Sequence, residues 1–454
     1  MRYFPFGRAA FSILMLAVAS GAWLSLQPAP KHHATLTYWT YANTHYNSYK
    51  KVIPEFERQN PGVTVDLELV SLNALSSRMQ AAMLADLDVP DIFEMEIGQS
   101  GTLFRGPTKD IGLVDLGPRI HAPGPDGAPP LWDRMVHARF SPYTNRGHIY
   151  GLPHDVHAVQ LAYRRDIFEK AGVDVSQIKT WDDFVKVGRK MTIPNKRYMM
   201  EMSDSDATVL EPLLFQRGGG YFDENGRVIM DNEIAVQTMC WYVPLVAGPH
   251  KIASNVGYFG QVQTKAVEDG YMLCYICPDW RSKTFENDVS HMKGKMGLMP
   301  VPLAAPNGPQ TTTWGGTMVG LTKHNNHQDL AWKLAMFLLL DKTQVAERYR
   351  ATNILPPVKD LWADPAFHER SAYWSNEKTG ESYIRLAPEV PPHYSSPVIQ
   401  TATDKFSQAL IDCVHYYNVH GYVDHGDAQF ESYVRSRLKL RADQVRAMAG
   451  RNPY

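Results

Sequence analysis

At 454 residues the chain exceeds what one hydrophobic core usually organises, so two lobes are expected. Its 46 basic and 47 acidic side chains leave a formal net charge of −1, which argues against a nucleic-acid partner. Hydrophobic residues at 44% and charged residues at 20% describe an ordinary globular chain, and aromatic content of 11% offers flat apolar faces to a ligand.

Residues 1–26 read as a secretory signal peptide. Arg2 and Arg8 precede an uncharged run from Ala9 to Leu26 that ends among small residues, so cleavage is expected after Ala19 or Ala22. No cysteine lies nearby to take a lipid. Export into the periplasm follows.

From residue 34 the chain alternates strand and helix. "ATLTYWTYA" (34–42) has strand periodicity, and "SYKKVIPEFERQNPG" (48–62) has helical spacing and stops at Asn60-Pro61-Gly62. "VTVDLELVS" (63–71), "LSSRMQAAMLADL" (75–87) and "VPDIFEMEIG" (89–98) continue as strand, helix and strand. This order predicts right-handed βαβ units and an open, mostly parallel sheet, with ligands beyond the C-terminal strand ends. Further along, "IKTWDDFVKVGRKM" (178–191) is a helix with Thr180 as its N-cap and Asp183 three residues on. "RGGGYFDENGRVIMDN" (217–232) is a hairpin whose glycines lack the Lys-Ser/Thr of a phosphate loop. "GKMGLMPVPLAAPNGP" (294–309) is an extended crossing, "WGGTMVGLTKHN" (314–325) a strand and "DLAWKLAMFLLLD" (329–341) an apolar helix.

Cys274 and Cys277 lie in "GYMLCYICPDW", which has the composition of a buried strand. Three strand steps separate two residues by about 10 Å, too far for a disulfide. With no second pair, zinc is disfavoured, and free thiols or long-range bridges remain for these two and for Cys240 and Cys413.

Three groups of residues carry candidate chemistry. His154, Asp155 and His157 could hold a metal, act in catalysis or line a polar ligand pocket. In an extended segment His154 and His157 point to opposite faces, which favours the pocket. Glu94 and Glu96 leave one face of a strand, as acceptors of sugar hydroxyls or as a hydrolytic pair. Trp39, Trp280 and Trp314 lie at or beside strand ends, where indoles stack on sugar rings.

These segments, with "IYGLPHDVHAVQLAYRRDIFEKAGVD" and "WGGTMVGLTKHNNHQDLAWKLAMFLL", resemble the extracellular solute-binding proteins (family 1) of carbohydrate ABC importers, over residues 34 to about 450. The resemblance implies an α/β, two-lobed periplasmic-binding-protein fold, with sugar in an interlobe cleft that closes on it. It implies residues 34–142 with 302–353 in the N-terminal lobe and 143–301 with 354–454 in the C-terminal lobe. Hinge crossings are expected near 140–146, 299–303 and 352–357. It places Trp39, Thr44, Glu94 and Glu96 beyond the first and third strands. His157 falls where a maltose-binding relative has a sugar-contacting glutamate. Trp280 matches a stacking tryptophan, Trp314 and Gly316 follow the second crossing, and Tyr394 is near an aromatic that closes over the sugar. Arg164, where the family has Asn, is expected to look outward. The implied partners are a carbohydrate and the membrane permease of an ABC importer, for a monomer with no cofactor and no metal. An exported glycan-active enzyme using Glu94 or Glu96 and a binder of a non-sugar solute are the competing readings.

Overall fold

The computed structural model describes residues 7–26, 34–420 and 428–451, so Arg2 of the leader lies outside the described residues. The helix Gly7–Leu26 leaves Ile13, Leu16 and Trp23 about two-thirds exposed. No described helix is long and apolar enough to cross a membrane.

Two five-stranded sheets form the framework. The first runs in the order Val65–Leu69, Leu36–Thr40, Ile92–Glu96, Thr317–Leu321, Leu152–Pro153. Its first three strands are parallel, as expected from the βαβ alternation, whereas the 317–321 strand returns from the other lobe and runs antiparallel to 92–96. The second sheet runs Met296–Pro300, Val159–Arg164, Met272–Pro278, Tyr198–Glu201, Ala253–Ser254 and is likewise mixed. Every residue of the 159–164 and 272–278 strands is buried, which explains their near-continuous hydrophobic runs. Cys274 and Cys277 are in the second of these, and all four cysteines are free.

Local signals set several boundaries. Thr180 and Asp183 form a reciprocal capping box at the start of the helix Trp181–Met191. Phe222 bridges Val228 across the predicted 217–232 hairpin. The helix Asn43–Gln59 begins five residues before its predicted start, because the polar Asn43–Asn47 stretch gives little hydrophobic period, while His45 within it pairs with Glu94 in the sheet. His45 thereby reaches the 92–96 strand.

The lobe division differs from the expected one. Residues 152–153 pair with the first sheet and 159–164 with the second, so the chain first crosses at 154–158, not at 140–146. The 296–300 strand and Leu303 stay with the second lobe, where the Leu303 amide donates to Lys179, and the second crossing falls at 313–316. Near the expected third crossing, Leu355 lies against Val156, whose amide donates to its carbonyl at 3.0 Å. Arg164 also differs. It is buried and turned inward, clamping Asp166 at 2.7 and 2.8 Å and donating to the Val267 carbonyl, since a chain bend after the strand brings those oxygens beneath it.

Candidate functional site

A charged cluster ties the three crossings together. Asp155 accepts from Arg139 Nη2 at 3.1 Å and from the Thr317 amide at 3.0 Å. Arg139 also donates to Thr313 Oγ1 at 2.7 Å and to the Gly315 carbonyl at 3.1 Å. His157 spans two carboxylates, with Nε2 3.2 Å from Asp155 and Nδ1 2.6 Å from Asp279. The other oxygen of Asp279 accepts from the Leu355 amide at 2.8 Å. Burial disfavours the charged imidazole, but the two aspartates prevail and lift the His157 pKa to about 9. His157 is therefore an imidazolium donating twice. Its backbone sits in the left-handed region at φ 52°, which turns the ring away from His154 and onto Asp279. Asp155 and His157 thus hold the hinge and do not face a ligand, because all their polar atoms are spent on neighbours. Gly316 belongs to the same cluster: a Cβ there would lie 2.2 Å from Arg139 Nη2, so the position is closed to any side chain.

Glu94 and Glu96 part company. Glu94 is fully buried and accepts from Tyr38 and Tyr49 on one oxygen and from Thr40 and His45 on the other, at 2.5–3.2 Å. Burial alone would raise its pKa, but His45 beside it holds the carboxyl at about 2. With four donors already in place, no lone pair is left for a sugar. Glu96 ends the strand, caps the turn Ile97–Ser100 by accepting from the Gly98 amide at 2.7 Å, and opens onto the space between the lobes. Burial pushes it up to about 7.

Trp39 is also withdrawn from the cleft. Strand alternation puts Tyr38 and Thr40 on the Glu94 side and Trp39 on the opposite face, in the core with Leu75 and Met79, its ring 3.9 Å from the Arg78 guanidinium. His154 is buried beside His45, their rings 4.0 Å apart, and neither of its ring nitrogens makes a hydrogen bond, Nδ1 lying 3.6 Å from Asp155. His45, Glu94 and His154 each offer a ligand atom, all within 4.8 Å of one another. Thr44 is exposed in the first turn of the 43–59 helix.

Trp314 borders a space between the lobes that has an acidic wall, and with Trp280 and Phe259 it forms an aromatic shelf. Trp280 and Trp314 lie 5.4 Å apart, the Trp280 indole N–H donating to the Trp314 carbonyl at 3.3 Å. Phe259 stacks on both at 5.9 and 6.5 Å and is 57% exposed. An aromatic that open has a free face. From Trp314 a cleft of about 480 Å³ runs between the lobes, with Glu96 and Gln99 on one side and Glu211, Phe215 and Asp404 on the other. Burial, reinforced by Glu96, raises Glu211 to about 8, so at neutral pH this side chain carries a proton to donate. His393 closes the floor, kept neutral by burial with its Nε2 unpartnered. Tyr394 stands farther out, beside the glycines of the 217–232 hairpin. Phe259, Glu211 and Arg139 carry no sequence motif. The one available signal for Phe259 was an aromatic pair between two glycines in "GYFG".

Known proteins resemble the chain over most of its length. The chain is 24% identical over 406 residues to the arabinooligosaccharide-binding protein of Bacillus subtilis, covering 88% of this chain and 92% of that one. It is 23% identical over 387 residues to the arabinooligosaccharide-binding protein of Halalkalibacterium halodurans, covering 84% of each. Among solved structures, the sugar-binding protein MalE of Xanthomonas citri superposes with a TM-score of 0.71 at 18% identity, over 91% of this chain and 98% of that one. The family described as bacterial extracellular solute-binding protein matches residues 42–345, and the chain belongs to it.

Proposed function

We propose that the chain captures a sugar or short oligosaccharide in the interlobe cleft and presents it to the membrane permease of an ABC importer, acting as a monomer in the periplasm. The observation that carries this reading is the cleft lined by Trp314, Glu96 and Glu211, with Trp280 and the exposed Phe259 packed against Trp314. Sugar rings offer C–H faces to aromatic planes and hydroxyls to carboxyl groups, and this site supplies both within one cleft. Relatives of the chain include arabinooligosaccharide-binding proteins, which supports a pentose or hexose oligomer over an amino acid or a polyamine. Among the described residues no Arg lines the cleft to clamp an amino-acid carboxylate in a bidentate arrangement. Glu94 is sealed by four donors, so the hydrolytic pair of Glu94 with Glu96 is not available.

The test is a thermal-shift screen of the chain from residue 27 onwards against mono- and oligosaccharides, uronates, amino acids and polyamines. A ligand at 100 times its dissociation constant adds about 2.7 kcal/mol of stability. The expected result is a raised midpoint confined to a subset of carbohydrates, with the bound sugar recovered chemically unchanged. Stabilisation by amines or amino acids alone overturns the sugar reading, and recovery of a cleaved product overturns the binding-only reading.

A further inference from the structure

We propose that His45, Glu94 and His154 form a buried binding site for a divalent transition metal ion, with zinc the best match to the ligand set. The three come from separate elements: the first turn of the 43–59 helix, the middle of the 92–96 strand, and the first residue of the hinge crossing at 154–158. None is more than 2% exposed, and their ligand atoms lie within 4.8 Å of one another. Two imidazoles and a carboxylate suit zinc, whose ligands sit at about 2.0–2.2 Å from the ion, so a contraction on the order of 1 Å closes the site.

The observation that points to a missing partner is His154. Both of its ring nitrogens are buried without a hydrogen bond, and its closest carboxylate oxygen, on Asp155, is 3.6 Å away. Asp155 is already engaged by Arg139, His157 and the Thr317 amide. Buried polar atoms are almost always paired, and an imidazole with neither nitrogen satisfied needs an account. A cation between His154 and Glu94 supplies one. It takes the place of the proton that His45 Nδ1 now shares with Glu94 at 2.9 Å. The hydroxyls of Tyr38, Thr40 and Tyr49 remain on the carboxylate and fix its direction, as hydrogen-bonded neighbours do for metal-bound carboxylates. Of the buried cations close by, Arg348 donates to the Leu338 carbonyl, and Arg139 and His157 are committed to Asp155. This site lies inside the first lobe, away from the cleft, so it does not depend on what solute the cleft takes.

The untagged full chain is unfolded and refolded in a chelator and, separately, in excess zinc. Metal retained after gel filtration is then measured by mass spectrometry, with cobalt absorption as a second readout. The expected result is one equivalent of zinc per folded chain, a melting midpoint raised by several degrees over the chelator-refolded chain, and the visible bands of a low-symmetry cobalt site. His154→Phe preserves the buried shape and removes both nitrogens, so it should fold and retain none. Chain that folds in zinc and retains no equivalent overturns the proposal and leaves a His45–Glu94 ion pair with a stacked neutral imidazole. Equal retention by wild type and His154→Phe overturns it too, by assigning the metal to other residues.

Discussion

His157 shows how one side chain can be placed correctly along a sequence and still be given the wrong task. Its spacing from His154 puts the two rings on opposite faces, and the structure does so, one toward His45 and the other toward Asp279. Yet its expected place is the lining of a polar ligand pocket, and two aspartates instead engage both of its ring nitrogens and hold it charged. A histidine whose folded pKa is raised from the ordinary 6.5 to about 9 contributes stability that is complete below about pH 6.5 and is lost as pH rises through 9. The stability difference between wild type and His157→Gln, from urea unfolding, should therefore be flat below pH 6.5 and shrink between pH 7 and 10. On the flat limb the variant should be about 3–5 kcal/mol less stable, since it leaves Asp155 and Asp279 short of a buried counter-charge. A difference that grows with alkaline pH would reject this arrangement.

At the level of strands and helices, the order and type of most elements were legible, because hydrophobic period, caps and breakers are local signals. The Thr180–Asp183 capping box and the Asn60-Pro61-Gly62 stop are written within a few residues. Tertiary pairing is not. His157 and Asp279 are 122 positions apart, and Arg139 and Thr313 are 174 apart, so nothing short-range announces either bond. The same limit separates the tryptophans. Trp39, Trp280 and Trp314 look equivalent as strand-end indoles, and only the sheet register assigns the first to the core and the others to the shelf. Substitution should divide them in kind. Trp280→Ala is expected to weaken sugar affinity by about 1–3 kcal/mol in calorimetric titration with little change in unfolding. Trp39→Ala is expected to cost about 3–5 kcal/mol of stability while the remaining folded protein binds normally.

Across the whole molecule, the lobes are joined by three short crossings that converge on the Arg139–Asp155–His157–Asp279 cluster. Each sheet keeps its own strands, so the lobes can rotate about that point without exchanging ladder hydrogen bonds. Small-angle scattering should show a smaller radius of gyration when a ligand identified by thermal shift is added, while far-UV circular dichroism stays unchanged. An unaltered radius at saturation would mean that the cleft binds without closure. The first sheet carries one more consequence, in the order of its strands. Its fourth strand, 317–321, lies between 92–96 and 152–153, so a ribosome must pass residue 321 before that sheet can be completed. Pairings of such long sequence separation form slowly. Two-thirds of the polypeptide is made before the first sheet can close, whereas every strand of the second sheet, within 159–300, is already in hand, so the lobe that starts first in sequence is the one whose sheet finishes last.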